Sequence, residues 1–283
     1  MFNLVSKSMC LCSFAILGLA INAQSVFGEN QTEALYILQL KFRPGMKLNY
    51  VQKMDSTQDY AEKGKMPTHL TLHTDRYVTL RLKKMMTSQT AQIETSVKPY
   101  VVDYSTEQTQ FTDDPALRTY GSRGIVTQDT QQKEGLPVAT DDAKPTLLPS
   151  RFAFLPDRPV RVGEHWSSQF IYKKHSKAIV TVDSQLVSVK PVGTHLHVAQ
   201  IIQIERIPLA ANLERLEMSS RKAPLLQGQA VLTRKDTISL DLDRGIILAI
   251  KTETDNTLQN SGLKSGVLNY RQQVTLEATL VEP

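Results

Sequence analysis

The side chains best suited to chemistry in this chain are its histidines. His195 and His197 stand two apart, and His69 and His73 stand four apart with Leu70 and Leu72 between them. Residues an even number apart on a strand share a face, so each pair can present two imidazoles in one direction. Two imidazoles hold zinc or copper when a neighbouring strand brings a third ligand. The apolar residues Leu70, Leu72, Leu196 and Val198 take the alternate positions, however, which puts these four histidines on the wet face. Solvated cross-strand histidines are therefore the simpler expectation. His165 sits between Glu164 and Trp166. On an alternating strand Glu164 and His165 point to opposite faces and cannot work as an acid–base pair. Trp166, the single tryptophan, is expected to plug the core.

Other catalytic patterns are missing from the sequence. It contains no G-x-S-x-G elbow, P-loop, H-E-x-x-H or dinucleotide fingerprint. Asp113-Asp114 and Asp141-Asp142 lie near prolines and read as turn residues, without the glycine-punctuated acidic loop that calcium needs. No catalytic residue, cofactor or metal ligand is assigned, and the ligand-binding residues stay open. A hydrolase without a recognisable motif is the third-ranked function, because triads are defined by geometry and not by sequence position.

The elements that would position any site begin after residue 28. Lys7 precedes an apolar run from Met9 to Ile21, and small residues follow between Ala23 and Gly28. That order is a secretory signal peptide, with cleavage expected after Gly28 and Ala23 as the second choice. The run is too short to span a bilayer, which needs about 20 residues. Export to the periplasm or the extracellular space is the expected localisation, with no membrane span left after cleavage. Both cysteines, Cys10 and Cys12, fall inside the signal, so the mature chain has no disulfide and no thiolate. It would keep 283 − 28 = 255 residues and a net charge of +5 − 1 = +4. A chain of that size can bury a core without covalent staples. Its basic residues are scattered, with Lys173-Lys174 and Arg221-Lys222 only pairs. Nucleic acid, which wants a basic stripe with stacking aromatics, is not an expected partner.

Hydrophobic alternation dominates the mature chain. Leu196, Val198, Ile202 and Ile204 are expected on one face, opposite His195, His197 and Gln203. Ile238, Leu240 and Leu242 alternate with Thr237, Ser239, Asp241 and Asp243. Leu70, Leu72, Val78, Leu80 and Leu82 keep one parity, as do Val274, Leu276, Ala278 and Leu280. One packed and one wet face per strand indicates an all-β fold of antiparallel sheets. Only Ala210 to Ser220 reads as a short helix.

The pattern also repeats. Pro44-Gly45-Met46-Lys47-Leu48 is echoed by Val162-Gly163-Glu164-His165-Trp166, and Arg123-Gly124-Ile125-Val126 by Arg244-Gly245-Ile246-Ile247. The glycine offsets, 163 − 45 = 118 and 245 − 124 = 121, point to one duplicated unit. The expected organisation is a signal at 1–28, a β half at 29–135, a proline-rich crossover at 136–159 and a second β half at 160–283. The halves would be curved sheets or open half-barrels. Five of the 13 prolines fall in the crossover. Proline cannot donate to a sheet ladder, so this stretch is not a central strand. Leu147, Leu148, Phe152, Phe154 and Leu155 make it apolar enough to pack across the halves.

The Pro-Gly turn before an alternating strand, then Phe154-Leu155-Pro156, Pro159-Val160, Val162-Gly163-Glu164-His165-Trp166 and Asp243-Arg244-Gly245, is similar to a group of exported bacterial envelope proteins. That group, of planctomycete-type and related envelopes, is a domain of unknown function. The resemblance spans most of the mature chain and implies a fold, with no catalytic residue to carry over. At the level of compartment and fold alone, the chain is also similar to LolA-type carriers of acyl chains. Two functions follow as expectations. The first is a non-catalytic envelope scaffold or protein-binding module, its partner an unknown protein. The second is a carrier of a lipid-like hydrophobic ligand. A carrier must leave apolar surface uncovered in a cavity, whereas a scaffold seals it.

Overall fold

Alternation of the kind seen in Val274 to Leu280 forces a strand to lie with one face against a core, and the computed structural model is built of little else. It describes residues 34–62, 66–105, 107–124, 138–139, 154–172, 179–194, 196–208, 231–260 and 268–281. These form β1 (Lys47–Glu62), β2 (Thr68–Met85), β3 (Thr90–Val97), β4 (Tyr100–Tyr104), β5 (Gln108–Phe111), β6 (Ala116–Gly121) and β7 (Val138–Ala139). There follow β8 (His165–Tyr172), β9 (Ile179–Val192), β10 (Leu196–Pro208), β11 (Val231–Asp241), β12 (Ile246–Asn260) and β13 (Leu268–Val281). The fold is all-β, and no helix occurs among the described residues. Residues 1–28, Ala210–Ser220, His195 and the crossover before 154, apart from 138–139, lie outside them.

All thirteen strands belong to one sheet, in the order β5-β4-β2-β1-β13-β12-β11-β10-β9-β8-β7, with β3 branching from β2 and β6 from β3. Every pairing is antiparallel except the two-residue contact of β7 with β8. The first and last long strands, β1 and β13, pair from Asn49↔Val281 to Glu62↔Leu268 and so join the N- and C-terminal stretches in one ladder. The sheet does not close into a barrel among the described residues. Gly45 and Gly163, each two residues before a strand, share a left-handed backbone, with φ of 77° and 86°. That conformation is open to glycine at little steric cost.

The apolar core lies where β1, β8 and β12 begin. Tyr50, Val78, Leu80, Ile93, Leu186, Ile201, Ile238, Leu240 and Ile250 line the inner face there, all buried. Full burial of each such aliphatic side chain is worth about 1.5–3 kcal/mol. The chain before β1 straps this end shut. Tyr36 exchanges both backbone hydrogen bonds with Val160 (2.8 and 3.0 Å), the Leu40 N–H donates to Ser122 O, and the Lys41 N–H donates to Gly245 O. Leu38 and Leu40 are buried beneath the strap. The described end of the crossover adds Phe154 and Leu155, and Val160 follows it, all buried. Leu155 N–H donates to Arg123 O, and the Trp166 Nε1–H donates to Phe154 O at 2.8 Å.

Parity in β13 and β11 follows the sequence: Ala278, Ile238 and Leu240 are buried, and Leu276, Leu280 and Leu242 are half-buried. In β10 the structure reverses the expectation. Ala199, Ile201, Gln203 and Glu205 face inward and are buried, while Leu196, Val198, Ile202 and Ile204 turn outward and are half-buried. The reason is that the inner face at this level is polar. Gln203 finds internal partners there, which removes the penalty that normally drives an amide to the surface.

Candidate functional site

Antiparallel register sorts the inward side chains into rows. Val78 and Tyr50 are direct partners, and Tyr50 donates its hydroxyl to Ile247 O at 2.8 Å. Burial pushes the Tyr50 pKa far up, which keeps it a neutral donor. The next row begins with Arg76 opposite Gln52 and continues through Ala278, Ile250, Ile238, Ile201 and Leu186. Above it run Thr74, Met54, Leu276, Thr252, Asp236, Gln203, Ser184 and Trp166. A third row holds Leu72, Ser56, Val274, Thr254, Arg234, Glu205 and Val182. The inner face thus turns from apolar to polar within one pleat.

On the β9–β12 side Gln203, Asp236 and Asp241 are paired. The Gln203 amide donates to Phe154 O (3.0 Å) and Ser184 Oγ (2.9 Å) and accepts from Phe154 N–H. Asp236 accepts from Thr252 Oγ1 at 2.6 Å and from Arg234 Nε at 3.0 Å. Asp241, fully buried, accepts the N–H groups of Asp243 and Arg244 and pairs with the Arg244 guanidinium, which fixes the β11–β12 turn.

On the β1–β2 side Gln52, Ser56 and two nitrogens of Arg76 are not. Gln52 is 0% exposed and neither amide atom has a partner; Ser56 Oγ has none either. Arg76 is 3% exposed, and its Nε and Nη1 are unpartnered. Its guanidinium carbon lies 3.8 Å from the centre of the Tyr100 ring, which in turn stacks on Phe111. Tyr100 donates to Asp113 Oδ2 at 3.2 Å. Burial lowers the Arg76 pKa, with Tyr100 and Asp113 opposing, but Arg76 makes no ion pair among the described residues. A buried polar group without a partner costs about 1–3 kcal/mol, and more when charged. Three of them within three successive inward rows of β1 and β2 mark this part of the inner face as the candidate site.

The histidines stand elsewhere. His69 and His73 lie on the outer face of the β1–β2 hairpin, with Nδ1 at 2.6 Å from Asp59 and 2.7 Å from Asp55. Each is the direct cross-strand partner of its aspartate. His197 reaches Asp243 Oδ2 at 3.2 Å, and the His197 backbone N–H is the main reason the Asp243 pKa is lowered. All three pairs are exposed, and no group of three potential ligands is close enough to hold a metal ion among the described residues. His165 is exposed at the start of β8, while Glu164 accepts the Arg161 N–H and pairs with Arg158. The Arg161 N–H, with Arg158 second, holds the Glu164 pKa below its ordinary value. Trp166 is buried in the core cluster.

Sequence reasoning missed Arg76, Gln52 and Ser56. The signal was present as a gap in a stripe: Leu70, Leu72, Val78, Leu80 and Leu82 share one parity, and the two positions between them are Thr74 and Arg76.

No family model matches the chain, and no curated protein matches its sequence. Among solved structures it is similar to DynF of the dynemicin biosynthesis pathway of Micromonospora chersina, at 8% identity and TM-score 0.19, over 91% of this chain and 95% of that one. An outer membrane channel from Pseudomonas putida F1 gives 9% identity and TM-score 0.19, over 90% of this chain and 99% of that one. Overlap at that score carries no argument about fold or function.

Proposed function

We propose that this chain is an exported, non-catalytic β-sheet protein of the cell envelope, a scaffold or protein-binding module and not an acyl carrier. The observation behind this reading is that the apolar concavity is filled by the chain itself. Leu38 and Leu40 of the strap, Leu155 of the crossover and Trp166 occupy the space that an acyl chain would need. An apolar cavity beneath the strap, lined by Leu40, Phe42, Tyr50, Leu80, Ile93 and Ile247, has room for about one water, ≈ 20 Å³, and the groove beside it, ≈ 470 Å³, is edged by the polar side chains of Lys41, Arg43, Lys47, Asn49 and Arg244. The three His–Asp pairs are open to solvent, which favours a binding surface over a water-excluded catalytic centre. The N-terminal 28 residues supply the export reading, and the paired β1 and β8 lead-ins are compatible with a duplicated unit.

One experiment tests export and sealing together. The full chain is expressed in an exporting host, and the secreted product is weighed by native mass spectrometry. The expected mass is that of residues 29–283 with nothing bound. Retention of residues 1–28 would overturn export, and a lipid-range mass lost on denaturation would overturn the sealed core.

A further inference from the structure

We propose that Arg76, Gln52 and Ser56 form a binding site for a small monocarboxylate on the inner face of the β1–β2 hairpin. This goes beyond the module reading and does not depend on the identity of its partner. The three residues come from adjacent strands in register, Gln52 opposite Arg76, with Ser56 two inward positions further along β1. They present one cation without an ion pair, an amide that can both donate and accept, and a hydroxyl, all more than nine-tenths buried. A folded chain rarely leaves such groups open, and the β9–β12 side of the same face shows that this one can close them.

The chemistry selects the ligand. A carboxylate supplies oxygen acceptors to the two free guanidinium nitrogens and the Gln52 amide as charge-assisted hydrogen bonds, while Ser56, four residues along β1, faces the body of the ligand. One negative charge balances Arg76. A second charge, as on phosphate, would meet the Asp113 carboxylate, which already stands near Arg76 and accepts from Tyr100. The body of the ligand has an apolar wall available. Met54, Leu72, Val274 and Leu276 share the inward rows with Ser56 and Thr74, and all four are half-buried. Tyr100 covers one face of the guanidinium, and its strand β4 pairs with β2 at Leu72, His73 and Thr74, with a further backbone bond from Ser105 N–H to Thr71 O.

The test uses the exported protein and 4-fluorobenzoate, followed by fluorine NMR. Saturable broadening or shift of the fluorine line is expected, reversed by unlabelled benzoate and not by equimolar inorganic phosphate. Arg76→Gln should weaken binding by about 10–100-fold, the loss of one charged hydrogen-bonding group. Gln52→Leu keeps the charge and should weaken it by several-fold, so the site remains testable if Arg76→Gln does not fold. No saturable change with folded parent protein overturns the proposal, as does unchanged affinity in folded Gln52→Leu. Competition by phosphate as strong as by benzoate overturns the monocarboxylate assignment. Laurate competing as well as benzoate would leave this site standing and instead overturn the sealed core.

Discussion

The β9–β12 side and the β1–β2 side of this sheet carry similar polar residues at similar depth, and they treat them differently. Gln203 on β10 and Gln52 on β1 are both buried amides, at 3% and 0% exposure. Gln203 is held by Phe154 on both its backbone groups and by Ser184. Neither amide atom of Gln52 has a hydrogen-bond partner. A segment of the chain, the end of the crossover, reaches the first amide and does not reach the second. Burial alone therefore does not identify a structural residue. What separates architecture from an open site is whether the protein brings the partner itself.

The largest effect should come from exchanging each amide for leucine. Gln203→Leu leaves Phe154 N–H and Ser184 Oγ without their partner and is expected to cost about 3 kcal/mol, the upper range for broken buried hydrogen bonds. Gln52→Leu removes two unpartnered atoms at no such loss and should leave stability within about 0.5 kcal/mol of the parent, or above it. Urea unfolding with unchanged m-values reads both. Equal destabilisation by the two would dissolve the contrast and assign Gln52 to architecture.

A smaller contrast concerns the turns. Gly245 on the β11–β12 side has φ of +65°, and a Cβ there would lie 2.6 Å from Lys41 N and 2.4 Å from its Cγ. Gly45 leads β1 with φ of +77° and nothing within 4 Å. Both alanine variants bear the left-handed penalty of about 1–2 kcal/mol. Gly245→Ala must also push the strap away, breaking the Lys41 N–H bond to Gly245 O and the Lys41 Nζ bonds to Leu242 O and Asp243 O. Its thermal midpoint should fall about twice as far as that of Gly45→Ala. Equal falls would mean that the strap is not held at Gly245.

How much of this was legible follows from the same contrast. Stripes such as Val274 to Leu280 were readable because one face of β13 is apolar and the other wet, the case that alternation detects. The inner face of β10 was not, because Gln203 and Glu205 lie inside while Ile202 and Ile204 lie outside, half-covered. Alternation then points the wrong way, and only the distant Phe154 reveals why. Gln52 and Arg76 pair across a hairpin, a fact of register that no single stripe contains. His69 and His73 were placed correctly on the wet face, but their aspartate partners again required register.

The smallest effect tests whether the outer face of the same hairpin is also built for binding or only for solvation. His73 faces Asp55 on β1, Asp103 on β4 and Asp75 on its own strand. The hydrogen bond to Asp55 raises its pKa above 6.5 most, the three carboxylate charges add to the rise, and slight burial opposes it. A raised folded-state pKa means that the charged pair stabilises the fold below the unfolded value near 6.5, and that this is lost as pH rises through the folded value. His73→Gln should therefore cost most between about pH 5, where aspartates stay ionised, and pH 6.5, and nothing on the alkaline side. Because the pair is half-exposed, the cost should stay below about 1 kcal/mol and shrink in high salt. A cost that persists unchanged at alkaline pH would show that His73 acts through packing or a neutral hydrogen bond. The outer aspartate ladder would then be as structural as the interior pairs of β9–β12, leaving Gln52, Arg76 and Ser56 as the inward polar groups of this hairpin that the fold does not satisfy.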